Sequence, residues 1–277
     1  RRLGNTQGKF TQHFHVSAPP MCIKTPKATT SPWIHKRVAP ITFRLDANDH
    51  LKLPDLIMND VMLELPPKLR KLYDEIQRTF FADIEGVELN AVTAAVLSAK
   101  LRQFLQGAVY VDEERNYKVI HDIKARTVQA HVHGLEGQPV LISICYRFEA
   151  IEMKKHVKNY ETLIGGQKRT NNASIVRRWN ESKIEKLVVH PQTVAYGLNL
   201  QGGGSNIIFC GLPWSTEQFW QLIGRLRRQG QEAKSVVVTR ILFKDTIDER
   251  VAQVLADNTK TQQDLMDAVK NYAKGVK

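Results

Sequence analysis

Five short apolar runs separated by helix-length segments dominate the second half of the chain: VLISI (140–144), ETLI (161–164), KLVVH (186–190), NIIFC (206–210) and SVVVTRILF (235–243). Near-continuous runs rich in Val, Ile and Leu, without a polar residue at every second position, suit strands buried on both faces. The segments between them, 149–158, 172–181 and 215–229, carry helical spacing, and further helix is expected at 246–256 and 259–273. Strands that alternate with helices are joined by crossovers. The predicted architecture is therefore α/β, a parallel sheet covered by helices on both faces. In such sheets ligands meet the loops at the carboxyl ends of the strands.

Before Pro139 the pattern is mainly helical. DVMLEL (60–65) alternates like a strand. PPKLRKLYDEIQRTFF follows, with Pro at a helix start and Leu69, Leu72, Tyr73 and Ile76 at helical spacing. Further helices are expected at about 90–105 and 121–133, and TPKATTSPWIHKRVAP reads as a connector with a short helix near Trp33. At 277 residues the chain can form one large or two modest domains. No apolar run approaches the roughly 20 residues of a membrane span, so a soluble protein with no membrane partner is expected. Cys22, Cys145 and Cys210 are widely spaced and form no CxxC. That argues against a disulfide framework or structural zinc and fits a reducing, cytoplasmic setting. The chain opens on Arg1 without a signal-peptide pattern, which suggests a piece of something longer.

The net charge of +12 is unevenly placed. Residues 1–45 hold eight Lys or Arg and no Asp or Glu, residues 46–160 hold 15 against 17, and residues 161–277 hold 17 against 11. With His13, His15, His35 and Trp33, the basic flank could track nucleic-acid phosphates or could be ordinary solvated surface.

STEQFWQLIGRLRRQGQ (215–231) places three arginines, Arg225, Arg227 and Arg228, within four positions. Ser215 followed by Gln218 is a capping-box pattern, and Gly230 suits the position just past a helix. At about 100° per residue Phe219, Leu222, Ile223 and Leu226 share one side. Gln221, Arg225 and Arg228 gather nearly opposite, and Arg227 points elsewhere.

Two tempting motifs fail. GNTQGKF (4–10) is one residue short between its glycines for a phosphate loop, and Phe10 stands where a Mg²⁺-binding Ser or Thr belongs. AVYVDEER (108–115) reads as a short strand and a charged turn, because no phosphate loop accompanies it. The pairs His13/His15 and His131/His133 lack further ligands, so no metal is expected from protein ligands alone.

VVHPQTVAYGLNLQGGGSNIIFCGLPWSTEQFWQLIGRLRRQGQ resembles the consecutive motifs V, Va and VI of superfamily 2 helicases, in the SWI/SNF-like branch found among remodelers and phage-encoded helicases. PVLISICYRF resembles motif IV, LIGGQ motif IVa, and DTIDERVAQVL the bracing helix that follows motif VI. RRLGNTQGKFTQHF and DHLKLPDLIMNDVMLELPP resemble the passage from the first RecA-like lobe into the second. By this resemblance residues 1–45 end a first lobe and form a basic linker, 46–135 are a mainly helical linking extension, 136–245 a second RecA-like lobe, and 246–277 bracing helices.

In such motors ATP and Mg²⁺ sit between two RecA-like lobes, and the second lobe supplies arginines that stabilise charge on the transferring phosphoryl group. The resemblance implies that Arg225 and Arg228 are those arginines, that Gln221 orients the nucleotide side, and that Arg227 falls outside the motif. It places Gly197, Asn199 and Gln201 on a cleft loop, with Gly197 allowing close backbone approach or simply capping a helix. For DNA, gripped through its phosphates, it implies Gly166, Gln167, Lys168 and Thr193, with Arg169, Arg177 and Arg178 as nearby basic residues. Trp179 and Trp214 read as packing residues.

The sequence departs from a complete motor: it holds no phosphate loop, no credible Asp-Glu box and no motif III. The expected function is the second lobe of an ATP-dependent DNA helicase or translocase, inactive without its first lobe. The alternative is a non-catalytic nucleic-acid-binding adaptor with a degenerate helicase fold.

Overall fold

A computed structural model of the chain describes residues 15–18, 23–26, 30–42, 52–82, 91–165, 169–194, 197–257, 260, 264–265 and 267–268. The chain forms two compact units, Arg1–Lys52 and Leu53–Lys277. In the first, strands β1 (His15–Ala18) and β2 (Ile23–Pro26) pair antiparallel. They are followed by helix α1 (Thr30–Val38), on which the Arg37 guanidinium lies 4.4 Å from the centre of the Trp33 ring. One ring face of this aromatic is therefore taken by a residue of its own helix.

The second unit is built on six parallel strands in the order β3-β10-β9-β6-β8-β7. These are β3 (Asp55–Leu63), β6 (Val140–Ser143), β7 (Glu161–Leu163), β8 (Lys186–Val189), β9 (Asn206–Phe209) and β10 (Ser235–Phe243). The five apolar runs of the sequence are thus five of the strands. The sixth, β3, lies at the sheet edge and pairs with all nine residues of β10, from Asp55 opposite Ser235 to Leu63 opposite Phe243. DVMLEL falls partly within it. Its alternating burial reflects an edge position with one covered face.

Between β3 and β6 come helices α2 (Pro67–Ala82) and α3 (Ala91–Leu105), the small hairpin β4 (Ala108–Tyr110) and β5 (Tyr117–Val119), and helix α4 (Ile123–Gly134). AVYVDEER is the first strand of that hairpin and its turn. The remaining helices are α5 (Arg147–Met153), α6 (Arg169–Asn180), the short α7 (Pro191–Val194), α8 (Thr216–Leu226) and α9 (Ile247–Leu255). Helix α5 ends five residues short of the expected 158, because its last turns become a series of tight turns closed by Val157 N donating to Met153 O (2.8 Å).

Neighbouring residues of one strand feed opposite layers, as the twofold repeat of a strand requires. Leu141 and Leu187 pack with Trp179 of α6, Phe219 and Leu222 of α8 and Val251 of α9, together with Tyr73 and Phe104 from α2 and α3. Ile142 and Val188 pack with Val128 of α4 and Ala150 and Met153 of α5. The sheet is covered on both faces, and the helical extension contributes to both cores, α2 and α3 to one and α4 to the other.

The two layers are joined at the carboxyl end of β10. Lys124 of α4 and Asp248 of α9 are both buried, and their charges meet at 2.7 Å. Asp248 also accepts from Phe243 N (3.2 Å). Removing one member of such a pair strands the other charge, at about 3–5 kcal/mol, whereas removing both is far milder. Asp248→Ala is therefore expected to lower the free energy of unfolding in urea by about that amount, and Lys124→Met on the same background to restore part of it.

Candidate functional site

The arginine-bearing helix α8 starts as its sequence predicts, with the Ser215 hydroxyl accepting from Gln218 N (3.3 Å). Phe219, Leu222, Ile223 and Leu226 are buried, and Phe219 packs against Phe209 of β9 at 4.7 Å between ring centres. That fixes the roll of the helix and leaves Gln221 and Arg225 on its outer side. The Gln221 amide donates to Glu217 Oε1 (2.6 Å), one turn earlier.

The helix ends at Leu226 rather than at 229. Arg227 leaves helical geometry with ψ 79°, and the Leu226 carbonyl accepts from Arg228 N (3.0 Å) and from the Gln231 side chain (3.2 Å). Gly230, with φ 92°, belongs to the turn beyond. Arg228 therefore stands off the helix, and the periodicity that grouped it with Gln221 and Arg225 does not set its direction. Asn199 does: its Oδ1 accepts from Arg228 Nη1 at 2.6 Å. Arg227 has a different task, its Nε donating to Pro54 O (2.9 Å) at the entrance to β3.

Burial holds the Arg225 guanidinium below its usual pKa, and the positive charge of Arg228 presses it further in the same direction. Two guanidinium groups close enough to repel one another are relieved by an anion placed between them. A phosphate group fits that requirement.

Asn199 sits on a loop whose shape is set by α6. Trp179 is fully buried, and its indole nitrogen donates to Leu200 O (2.8 Å). Asn180 donates from Nδ2 to Asn199 O (2.8 Å) and accepts at Oδ1 from Gly202 N (3.1 Å). At Gly197, expected to permit close approach, a Cβ would have nothing within 4 Å. Glycine is favoured there by its φ of 77°. Crowding is found instead at Gly203, where a Cβ would lie 2.2 Å from Trp179 Nε1. Gly203→Ala is expected to lower unfolding stability by about 1–3 kcal/mol, read from the shift of the urea midpoint, because the indole has no room to retreat.

A concavity lies at the carboxyl ends of β6, β7 and β8. It has a volume of about 410 Å³ and is lined by Tyr110, Tyr146, Arg147, Gly165, His190 and Thr193 among others. Arg147 Nη2 donates to Gly165 O (3.0 Å), and His190 Nε2 lies 3.0 Å from Cys145 O. The carboxylate of Glu149 accepts from Cys145 N (2.8 Å) and Tyr146 N (2.7 Å), shaping the turn that presents Arg147. Burial pushes this carboxyl up to about 7, against the pull of those two backbone donors.

Thr193, expected to touch nucleic acid, lines this concavity. Gly166, Gln167 and Lys168 lie outside the described residues, and Arg169 is the first residue of α6 after them. Arg177 and Arg178 are not brought to the same place. They sit eight and nine residues further along α6, about 12 Å at 1.5 Å per residue. There Arg178 pairs with Glu161 (2.8 Å), and Arg177 lies 3.9 Å from Glu181. Closeness in sequence suggested one basic cluster, but the length of the helix separates its ends. Trp179 and Trp214 both pack, Trp214 against the core and 4.9 Å from the Arg102 guanidinium.

Arg147, His190 and Asn180 were missed by sequence reasoning. For Arg147 a signal existed, since it closely follows a largely apolar run at a strand-to-helix turn. For Asn180 no pattern marks the contact. Among the described residues no three His, Cys, Asp or Glu group as a metal site, and no helix is long and apolar enough to cross a membrane.

Residues 123–230 match the family described as the helicase conserved C-terminal domain. The p41 protein of Acyrthosiphon pisum secondary endosymbiont phage 1 is 31% identical across 83% of this chain and 50% of its own length. An ATP-dependent helicase of Mycoplasma pneumoniae is 26% identical across 92% of this chain and 24% of its own length. The chain thus spans half or less of these curated relatives. Among solved structures, the Sulfolobus solfataricus SWI2/SNF2 ATPase core in complex with double-stranded DNA matches at a TM-score of 0.60, covering 99% of this chain and 58% of that one at 17% identity. The C-terminal part of the Fun30 ATPase domain matches at 0.56, covering 81% and 97% at 15% identity.

Proposed function

We infer that this chain, whose residues 123–230 match the helicase conserved C-terminal domain, is the second motor lobe of an ATP-dependent DNA helicase or translocase of the SWI/SNF-like branch of superfamily 2. The reading is carried by the placement of Arg225 and Arg228. They arrive from a helix and from the turn after it, repel one another, and have Asn199 holding one of them. On this reading both reach nucleotide phosphates bound mainly by a first RecA-like lobe of the parent chain, which also supplies the Mg²⁺ site. Positive groups held in place where charge develops lower the barrier to phosphoryl transfer without reorganising during the reaction. Gln221, at the same outer face of α8, orients the nucleotide side, and Gly197 and Asn199 shape the cleft loop.

The concavity at the carboxyl ends of β6 to β8 is the nucleic-acid side. Thr193 contacts DNA phosphates there, and the helicase resemblance gives the same role to Gly166, Gln167, Lys168 and Arg169. Arg147 adds a guanidinium to the same edge, while Arg177 and Arg178 act at the far end of α6. Phosphate contacts of this kind bind without reading sequence.

In the two-lobed protein, Arg225→Ala or Arg228→Ala is expected to lower DNA-stimulated ATP turnover by a factor on the order of 10³ or more, with DNA affinity nearly unchanged. Arg227→Ala should leave turnover near its starting value and lower the unfolding midpoint, because that side chain ties α8 to Pro54. Equal losses of turnover in all three variants would contradict the assignment.

Residues 1–277 alone are expected not to hydrolyse ATP, since arginines stabilise a phosphoryl group that something else must hold in line. The same chain should bind duplex DNA with micromolar or weaker affinity and without sequence preference, log K falling linearly with log salt. A turnover assay beside salt-titrated fluorescence anisotropy checks both.

A further inference from the structure

We propose that Asn180, backed by Trp179, is a positioning residue through which helix α6 sets the place of Arg228. The proposal rests on reading Arg228 as a nucleotide-contacting arginine. Helix α6 begins directly after the 166–168 segment and ends on Asn180. It is a rod of 12 residues, about 18 Å long. Its last residue holds the 199–204 loop by two hydrogen bonds in opposite senses, Nδ2 to Asn199 O and Gly202 N to Oδ1. The preceding residue adds a third, from the indole of Trp179 to Leu200 O.

This seat has no slack. A Cβ at Gly202 would come within 3.2 Å of Asn180 Oδ1, one at Gly203 within 2.2 Å of the indole, and one at Gly204 within 2.9 Å of Pro139 Cβ. Three successive glycines let the backbone lie directly on the end of α6 and on Pro139. A loop so closely seated follows the helix when the helix shifts. The side chain of Asn199, on that loop, carries the movement to Arg228 Nη1. A displacement imposed where α6 begins is thereby delivered, through the end of the helix and the loop seated on it, to Arg228.

The test is a double-mutant cycle on DNA-stimulated turnover in the two-lobed protein, with DNA affinity and the KM for ATP measured alongside. Asn180→Ala and Asn199→Ala are each expected to lower kcat about tenfold and to leave KM and DNA affinity unchanged. Combined, they should be no worse than either alone, because both act through Arg228. A packing defect unrelated to Arg228 would multiply with Asn199→Ala instead. Multiplying effects, or an unchanged kcat in Asn180→Ala, overturn the proposal. Should Asn180→Ala fold poorly, Asn180→Asp keeps the acceptor for Gly202 N and sets an oxygen against Asn199 O. It is expected to show the same loss and the same non-additivity. Arg228→Ala separates the two levels: if it leaves turnover intact, the reading of Arg228 falls and the proposal with it. If it abolishes turnover while the cycle multiplies, only the role of Asn180 falls.

Discussion

Two opposite charges buried at the carboxyl end of β10 hold together layers that the sheet would otherwise keep apart. Lys124 enters from α4, on the face filled by Val128 and Met153, and Asp248 from α9, on the face filled by Trp179 and Phe219. Turned so that both ends of its amide are satisfied, Gln106 accepts from Lys124 Nζ (3.0 Å) and donates to Cys210 O (3.0 Å), extending the network to the end of β9. Such groups are tolerated in an interior only when their polar atoms are answered.

The network also explains what the helical extension contributes. Arg102 of α3 donates to Leu212 O (2.6 Å), where the Cys145 thiol also donates (3.0 Å), and its guanidinium lies against Trp214. These contacts hold the 210–214 loop, from which α8 departs. The direction of the arginine helix is thus settled partly by residues more than a hundred positions earlier. The extension is a buttress of the site as well as a connection.

Most of the sheet was legible in the sequence because buried parallel strands leave a near-continuous apolar signature, and all five runs proved to contain strands. The start of α8 was legible for a comparable reason: a capping serine and an apolar stripe are local. Its end was not, because the competitor for the Leu226 carbonyl is Gln231, acting across a turn that periodicity does not describe. The same limit hid the partner of Arg228 and the separation of Arg177 and Arg178 from Thr193. Gly197, read as allowing close approach or capping a helix, has a left-handed φ of 77°, while the crowding at Gly203 is set by the ring of Trp179, which no local pattern marks.

The pairing of β3 with β10 bears on how the protein is made. The edge strand ends at Leu63 and its partner at Phe243, so a ribosome working at about 5–20 residues per second releases the first on the order of ten seconds or more before the second. During that interval Asp55–Leu63 has none of the hydrogen bonds it will make in the sheet, and its Ile57 and Met62 side chains stay exposed even in the finished fold. Asp55, Asn59 and Asp60, spaced along the same nine residues, give the waiting segment polar and like-charged positions that discourage it from pairing with a neighbouring nascent chain. When β10 arrives, Arg240 closes on Asp60 with two hydrogen bonds (2.6 and 2.7 Å), so a charge that protects the unfinished polypeptide becomes part of the completed sheet.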